Sequence, residues 1–358
     1  MSTAPRAADG VTAVNQYEYD RADAPDDALR LHLNEHTGGC SPAVMDAIAR
    51  VARQTVAKYP DYTRVTGAVA SHIGVPDAQV LLTNGLDEGI FAVAIAQLRG
   101  DTNEAVIIEP AFGMYADAVE AVGGRVVRVM PGPEFGLDRA AIAAAVTPRT
   151  GALFIASPGN PSGISLTHEE IVWLASLLPR GALLLLDEAY VEFAGGSFLP
   201  LLQAHPNVVV GRTFAKAYGL AGMRVGAVIA SEAVIARLRR VVPPYSLNVF
   251  VVAALEAALG DRAYMDAYRR AVQTSRQLLY AACDRWGLPY VRSDANFVLV
   301  RAGDRRQALL DGLQARGIYI RDRDRQPGCA GCVRITTGLV EHTEACIAAM
   351  EEILCGRA

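Results

Sequence analysis

GRTFAKAYGLAGMRVG, residues 211–226, is the stretch on which the reading of the whole chain turns. It holds one lysine, Lys216, among small residues, with the hydroxyl of Thr213 three residues before it and Arg224 eight residues after it. A lysine so placed suits a Schiff-base site for a phosphorylated aldehyde. The amine would carry the covalent chemistry, while hydroxyl and guanidinium hold a phosphate dianion. Taken alone, the stretch equally describes a solvated surface lysine.

Two upstream stretches remove that ambiguity. LLLLDEAY (183–190) is a buried apolar run that ends in Asp187, with Tyr190 three residues on, and SPGNPSG (157–163) precedes it. In that order, and with those gaps, the three stretches resemble the fold-type I pyridoxal-phosphate (PLP) enzymes, aminotransferases above all, and among them the histidinol-phosphate aminotransferases. Residues 59–61, 83–88, 112–115 and 318–337 extend the likeness over most of the chain. The resemblance implies PLP as cofactor, an amino donor and a 2-oxo acid as small-molecule partners, and a homodimer with shared active sites.

Composition is compatible with this and excludes other classes. The 358 residues are 51% apolar and 20% charged, ordinary values for a soluble globular protein. With 34 basic against 38 acidic residues the net charge is −4, and no basic block stands out, which argues against nucleic acid or an anionic membrane as partner. Apolar runs such as 181–186 and 247–259 are too short or too interrupted to span a bilayer, and MSTAPRAADG is not of signal-peptide type. Cytoplasmic location is the default expectation. Of the six cysteines, Cys329 and Cys332 form a lone C-x-x-C with no second pair or nearby histidine to complete a zinc site, so a structural role is expected and no metal.

Residues 1–30 read as a mobile arm, with Tyr17 or Tyr19 available to fold over a site. Ser41–Pro42 is a helix start. From residue 79 strands and helices alternate: strands at 80–84, 105–110, 125–130, 152–157, 182–187, 208–213 and 224–230, with helices between most of them. Near-continuous apolar strands in this alternation predict an α/β fold, a mostly parallel central sheet covered by helices, with ligands at the strand ends. After Pro243–Pro244 the texture changes to two helices over 247–285 and then a smaller α+β segment. The expected division is 34–245 for the large PLP-binding domain, and 1–33 with 246–358 for the arm plus small domain.

The residues that would do the chemistry follow. Electron-sink catalysis needs a carboxylate to keep the pyridine nitrogen protonated, and Asp187 at a strand end fits, although an aspartate there could also cap a helix. Asn160 and Tyr190 can hydrogen-bond the phenolic oxygen of the cofactor, although asparagine before proline is also plain turn chemistry. Gly85, Leu86 and Asp87 start a helix whose free N–H groups suit a phosphate. By resemblance Tyr115 stacks on the pyridine face, Tyr59 reaches the phosphate of the neighbouring subunit's cofactor, and Arg334 grips a substrate carboxylate. Arg321, in RDRDRQPGCAGCVRIT (321–336), matches an arginine that helps to hold a substrate phosphate, or else belongs to a solvated charged loop. A core tyrosine and a surface arginine are the plain alternatives for Tyr115 and Arg334.

Three departures from the pattern bear on substrate. Ala215 stands where the family has a phosphate-binding serine. His32 replaces the first asparagine of N-x-N-E, leaving Asn34 to frame the substrate pocket, and residues 36–42 are also unlike the usual form. The reading that results is transamination, with histidinol phosphate and imidazole acetol phosphate exchanged against glutamate and 2-oxoglutarate. An aromatic or other amino-acid aminotransferase, and a decarboxylase or lyase of the same fold, stand as rivals; a non-catalytic regulator of this fold is a more distant one.

Overall fold

The computed structural model describes residues 24–356. The expected arm with Tyr17 and Tyr19 lies mostly outside these residues. The first strand, β1 (Leu29–Arg30), is followed by β2 (Val80–Asn84), β3 (Glu104–Ile108), β4 (Arg125–Val129), β5 (Thr150–Ala156), β6 (Leu183–Asp187), β7 (Val208–Thr213) and β8 (Val225–Ile229). Strands β2 to β8 form one seven-stranded sheet in the order β2-β8-β7-β6-β5-β3-β4. All its pairings are parallel except those of β8, which runs antiparallel to both β2 and β7. This is the mostly parallel α/β architecture that the alternation predicts, with one reversed strand.

The sequence of β6 shows why the sheet forms. Successive side chains of a strand face opposite ways. Leu184 and Leu186 enter one hydrophobic cluster, and Leu183 and Leu185 the other, so both faces are covered. Each buried leucine contributes roughly 1.5–3 kcal/mol relative to exposure. No polar residue interrupts the run until Asp187, at the strand's end.

The second half builds β9 (Tyr290–Val291), β10 (Phe297–Arg301), β11 (Ile318–Tyr319), β12 (Arg321–Asp322) and β13 (Cys332–Thr336). A four-stranded antiparallel sheet has the order β12-β13-β10-β9, while β1 pairs with β11 in parallel. The helix Arg262–Trp286 and the terminal helix Val340–Cys355 supply Leu279, Cys283, Cys346 and Met350 to the core beneath it. The helix Val249–Gly260 packs elsewhere. Its Val251, Ala254, Leu255, Ala258 and Leu259 join the core of the large sheet, on the far side of the boundary drawn from sequence at 245/246. Among the described residues no helix is long and apolar enough to cross a membrane.

Candidate active site

The large sheet brings its motifs to one edge. Gly85 follows β2, Phe112 and Tyr115 follow β3, Asn160 follows β5, Asp187 ends β6, and Thr213 to Lys216 follow β7. Because β8 is reversed, its first residues, next to Arg224, lie at the same edge. The second sheet closes the other side with Arg321 and Arg334, register partners on β12 and β13. A cavity of about 460 Å³ lies between, lined by residues of both sheets.

Lys216 sits on the turn after β7, where Ala215 N–H donates to Thr213 Oγ1 at 3.2 Å and Gly219 N–H to Lys216 O. Gly219 is required there: at φ +69° a Cβ would fall 2.6 Å from Gly39 O. The Lys216 amine reaches into the cavity and donates to Leu33 O at 2.9 Å. Burial, with the charges of Arg334 and Arg224 beside it, pushes its pKa down to about 8, against the opposing pull of Glu35 and Asp87. An amine so perturbed is a nucleophile near neutral pH.

Asp187 accepts from Tyr115 Oη at 2.6 Å and from Ala189 N–H at 2.9 Å. Burial pushes its carboxyl up to about 6, against the hydrogen bonds that favour the anion. Tyr115 therefore departs from its expected place. It is fully buried under the carboxylate, and although both rings line the cavity, Phe112, three residues earlier, is the partly exposed one. The two rings meet edge to face at 5.8 Å. The core-tyrosine alternative describes Tyr115 better than stacking does, because its hydroxyl is committed to Asp187.

The remaining residues form pairs across the cavity. Arg334 is buried, not a surface arginine; its Nη1 donates to Asn160 Oδ1 at 2.7 Å and its Nη2 to His32 O. Asn34 Nδ2 donates to Tyr190 Oη at 3.0 Å, and its backbone, at φ +56°, is held by Thr336 and Asn296. At the rim, Arg224 Nη2 meets Asp87 Oδ2 at 2.7 Å, above Gly85 and the start of the helix Gly85–Gln97. Gly85 leaves room for that guanidinium, since a Cβ would lie 2.7 Å from Nη2.

Arg321 lines the cavity, which excludes a purely solvated loop for it, while Arg325 of the same run is exposed. Tyr59 does not line the cavity of its own chain; it is 78% exposed and stacked on Tyr245 at 4.4 Å. Of the departures, His32 contributes its backbone oxygen, and His36 stacks on Tyr268 and Tyr264, so neither side chain enters the cavity wall. Ala215 does line it. Sequence reasoning passed over Phe112, Arg323 and Gln326, all cavity-lining. The one available signal for Arg323 was its spacing from Arg321, two residues on in extended chain and hence on the same side.

Comparison with known proteins agrees with this geometry. The family "Aminotransferase class I and II" matches residues 26–349. A histidinol-phosphate aminotransferase 2 of Ralstonia nicotianae is 36% identical over 91% of this chain and 88% of its own length. The histidinol-phosphate aminotransferase of Moorella thermoacetica is 31% identical over 99% and 94%. Among solved structures, the histidinol-phosphate aminotransferase of Sinorhizobium meliloti in complex with pyridoxal-5'-phosphate superposes with TM-score 0.83 at 29% identity, covering 92% of each chain. The chain belongs to the class I and II aminotransferases and is a PLP-dependent aminotransferase.

The residues fit that cofactor. Among the described residues the hydrogen-bond partners of Asp187 are neutral, and a protonated pyridine nitrogen would supply its buried carboxylate with a positive one. Lys216 lines the same cavity with a depressed pKa. A 13-residue helix begins at Gly85 beside Arg224, a setting for a phosphate.

Proposed function

We propose that this chain transfers the amino group between histidinol phosphate and glutamate, with imidazole acetol phosphate and 2-oxoglutarate as the keto partners. The observation that carries the reading is a single cavity that holds the Lys216 amine on the large sheet and the guanidiniums of Arg321 and Arg334 on the second sheet. An amino donor with an anion remote from its amine spans those two ends. The names of the relatives point to the same donor.

When bound, PLP supplies the electron sink for breaking the Cα–H bond. The residues supply the rest. Lys216 would anchor the cofactor, and its amine, once free, would hold the proton taken from the donor Cα and give it back. Its pKa of about 8 lets it both take and return that proton. Asp187 keeps the pyridine nitrogen protonated, and Tyr115 and Ala189 hold that carboxylate in place. Asn160 and Tyr190, each oriented by a neighbour, Arg334 and Asn34, would hydrogen-bond the phenolic oxygen. The N–H groups of Gly85, Leu86 and Asp87, with Thr213 and Arg224, would hold the phosphate, and Phe112 would pack on the ring. Arg334 takes the α-carboxylate when glutamate is the donor, and Arg321 takes the phosphate of histidinol phosphate.

A homodimer belongs to the same reading. Exposed Tyr59 and Tyr245 form a stacked pair away from the chain's own cavity, which leaves Tyr59 available to a second copy. The donor assignment is tested by single-turnover absorbance of the holoenzyme with histidinol phosphate, histidinol, phenylalanine and tyrosine. Histidinol phosphate should give the highest kcat/KM, by at least about tenfold, the worth of one charged hydrogen bond. A preference for phenylalanine would replace this reading with the aromatic aminotransferase.

A further inference from the structure

The segment after β12 is a closed chain of turns. Gln326 N–H donates to Arg323 O at 3.0 Å, Cys329 N–H to Gln326 O at 3.0 Å, and Cys332 N–H to Cys329 O at 2.9 Å. Arg323 N–H returns to Cys332 O at 3.0 Å, which ties the two ends together. Asp324 Oδ1 accepts from Gly331 N–H at 2.7 Å, and Arg306 braces Asp322 and Asp324 from outside. Underneath, Cys329 and Cys332 are buried with Val291 and Leu299, against Phe135. Burial pushes the Cys329 thiol up to about 12, and the C-x-x-C pair packs as apolar filling beneath the segment.

This braced segment sends Arg323 and Gln326 into the cavity that holds Lys216, beside Arg321. We propose that Arg323, with the Gln326 amide, determines specificity at the remote end of the amino donor. It adds a second guanidinium to that of Arg321, so that this end takes a phosphate monoester dianion in preference to an uncharged or singly charged group. Three terminal phosphate oxygens can engage two guanidinium forks, whereas a carboxylate fills one.

This inference rests on the phosphate-donor reading, and the test separates the two. Wild type, Arg323→Gln and Arg323→Lys holoenzymes are compared in single turnovers with histidinol phosphate, histidinol and glutamate. Binding of propyl phosphate, which has no amine to react, is measured by titration calorimetry. Arg323→Gln should lower kcat/KM for histidinol phosphate roughly 10- to 150-fold and weaken propyl phosphate by a similar factor. Histidinol and glutamate should change by no more than about twofold. Arg323→Lys should recover part of the loss, since it keeps the charge but not the fork. Equal losses on histidinol and histidinol phosphate, or unchanged propyl phosphate binding, would overturn the assignment. If wild type prefers phenylalanine while propyl phosphate binding still depends on Arg323, the donor reading fails and the role of Arg323 stands.

Discussion

The two walls of the cavity are built differently. The wall that carries Lys216 and Asp187 stands on β6 and β7, each hydrogen-bonded to a strand on both sides and covered by apolar side chains on both faces. The opposite wall places Arg334 on β13, between β10 and β12, but hangs Arg323 and Gln326 on a turn segment held by a few local bonds. Covalent chemistry needs reacting atoms held to fractions of an ångström, which an over-determined sheet provides. Selection of the donor's far end needs a surface that can vary without disturbing a core. The contrast implies that substitutions on the first wall damage chemistry or stability, and those on the second alter selectivity.

The sharpest way to break that contrast is at Lys216. Lys216→Ala should lower turnover by roughly 10⁴-fold or more while leaving some PLP bound through its phosphate, as followed by visible absorbance. Mixed with Tyr59→Phe subunits under verified exchange, it should regain activity, because one site of the heterodimer then has both native residues. Mixed activity no better than the weaker parent would remove Tyr59 from the partner's site.

Next in size is stability. Leu185→Ala, at a fully buried position of β6, should cost roughly 2–5 kcal/mol in denaturant unfolding. Arg325→Ala, on the exposed side of the turn segment, should stay within about 0.5 kcal/mol. Equal costs would mean that the second wall is as integral to the core as the first.

The smallest effect is a pH dependence of the cofactor-free protein. The Lys216 pKa falls from 10.5 to about 8 on folding, chiefly by burial and then by Arg334. Below the folded value both states are protonated and the whole penalty is present. Between the two values the unfolded chain binds more protons, so stability rises with pH. The shift corresponds to about 3 kcal/mol at most. Wild type should therefore gain stability between about pH 8 and pH 10 relative to Lys216→Met, and the variant should be the more stable of the two at pH 7. A constant difference across that range, measured by urea unfolding, would place the amine in a more solvated setting than the structure shows.

The candidate lysine Lys216, the carboxylate at the end of LLLLD and the succession of strands along the chain were all readable, because each rests on local signals. Apolar runs mark buried strands, glycines mark the tight joints after them, and a charge that ends such a run must lie at a sheet edge. Tertiary structure alone decided the reversal of β8, the entry of the helix Val249–Gly260 into the large-sheet core, and the contacts across the cavity. Arg334 meets Asn160 from 174 positions away, and Lys216 meets Leu33 from 183. It also decided that the Tyr115 hydroxyl is bound to Asp187 while Phe112 keeps a partly exposed ring at the cavity, and that Arg323 joins Arg321 there while Arg325 turns to solvent. Periodicity states which residues are buried, but not toward which neighbour a side chain points. That direction is set by how two sheets, formed by distant parts of the chain, come to face one another.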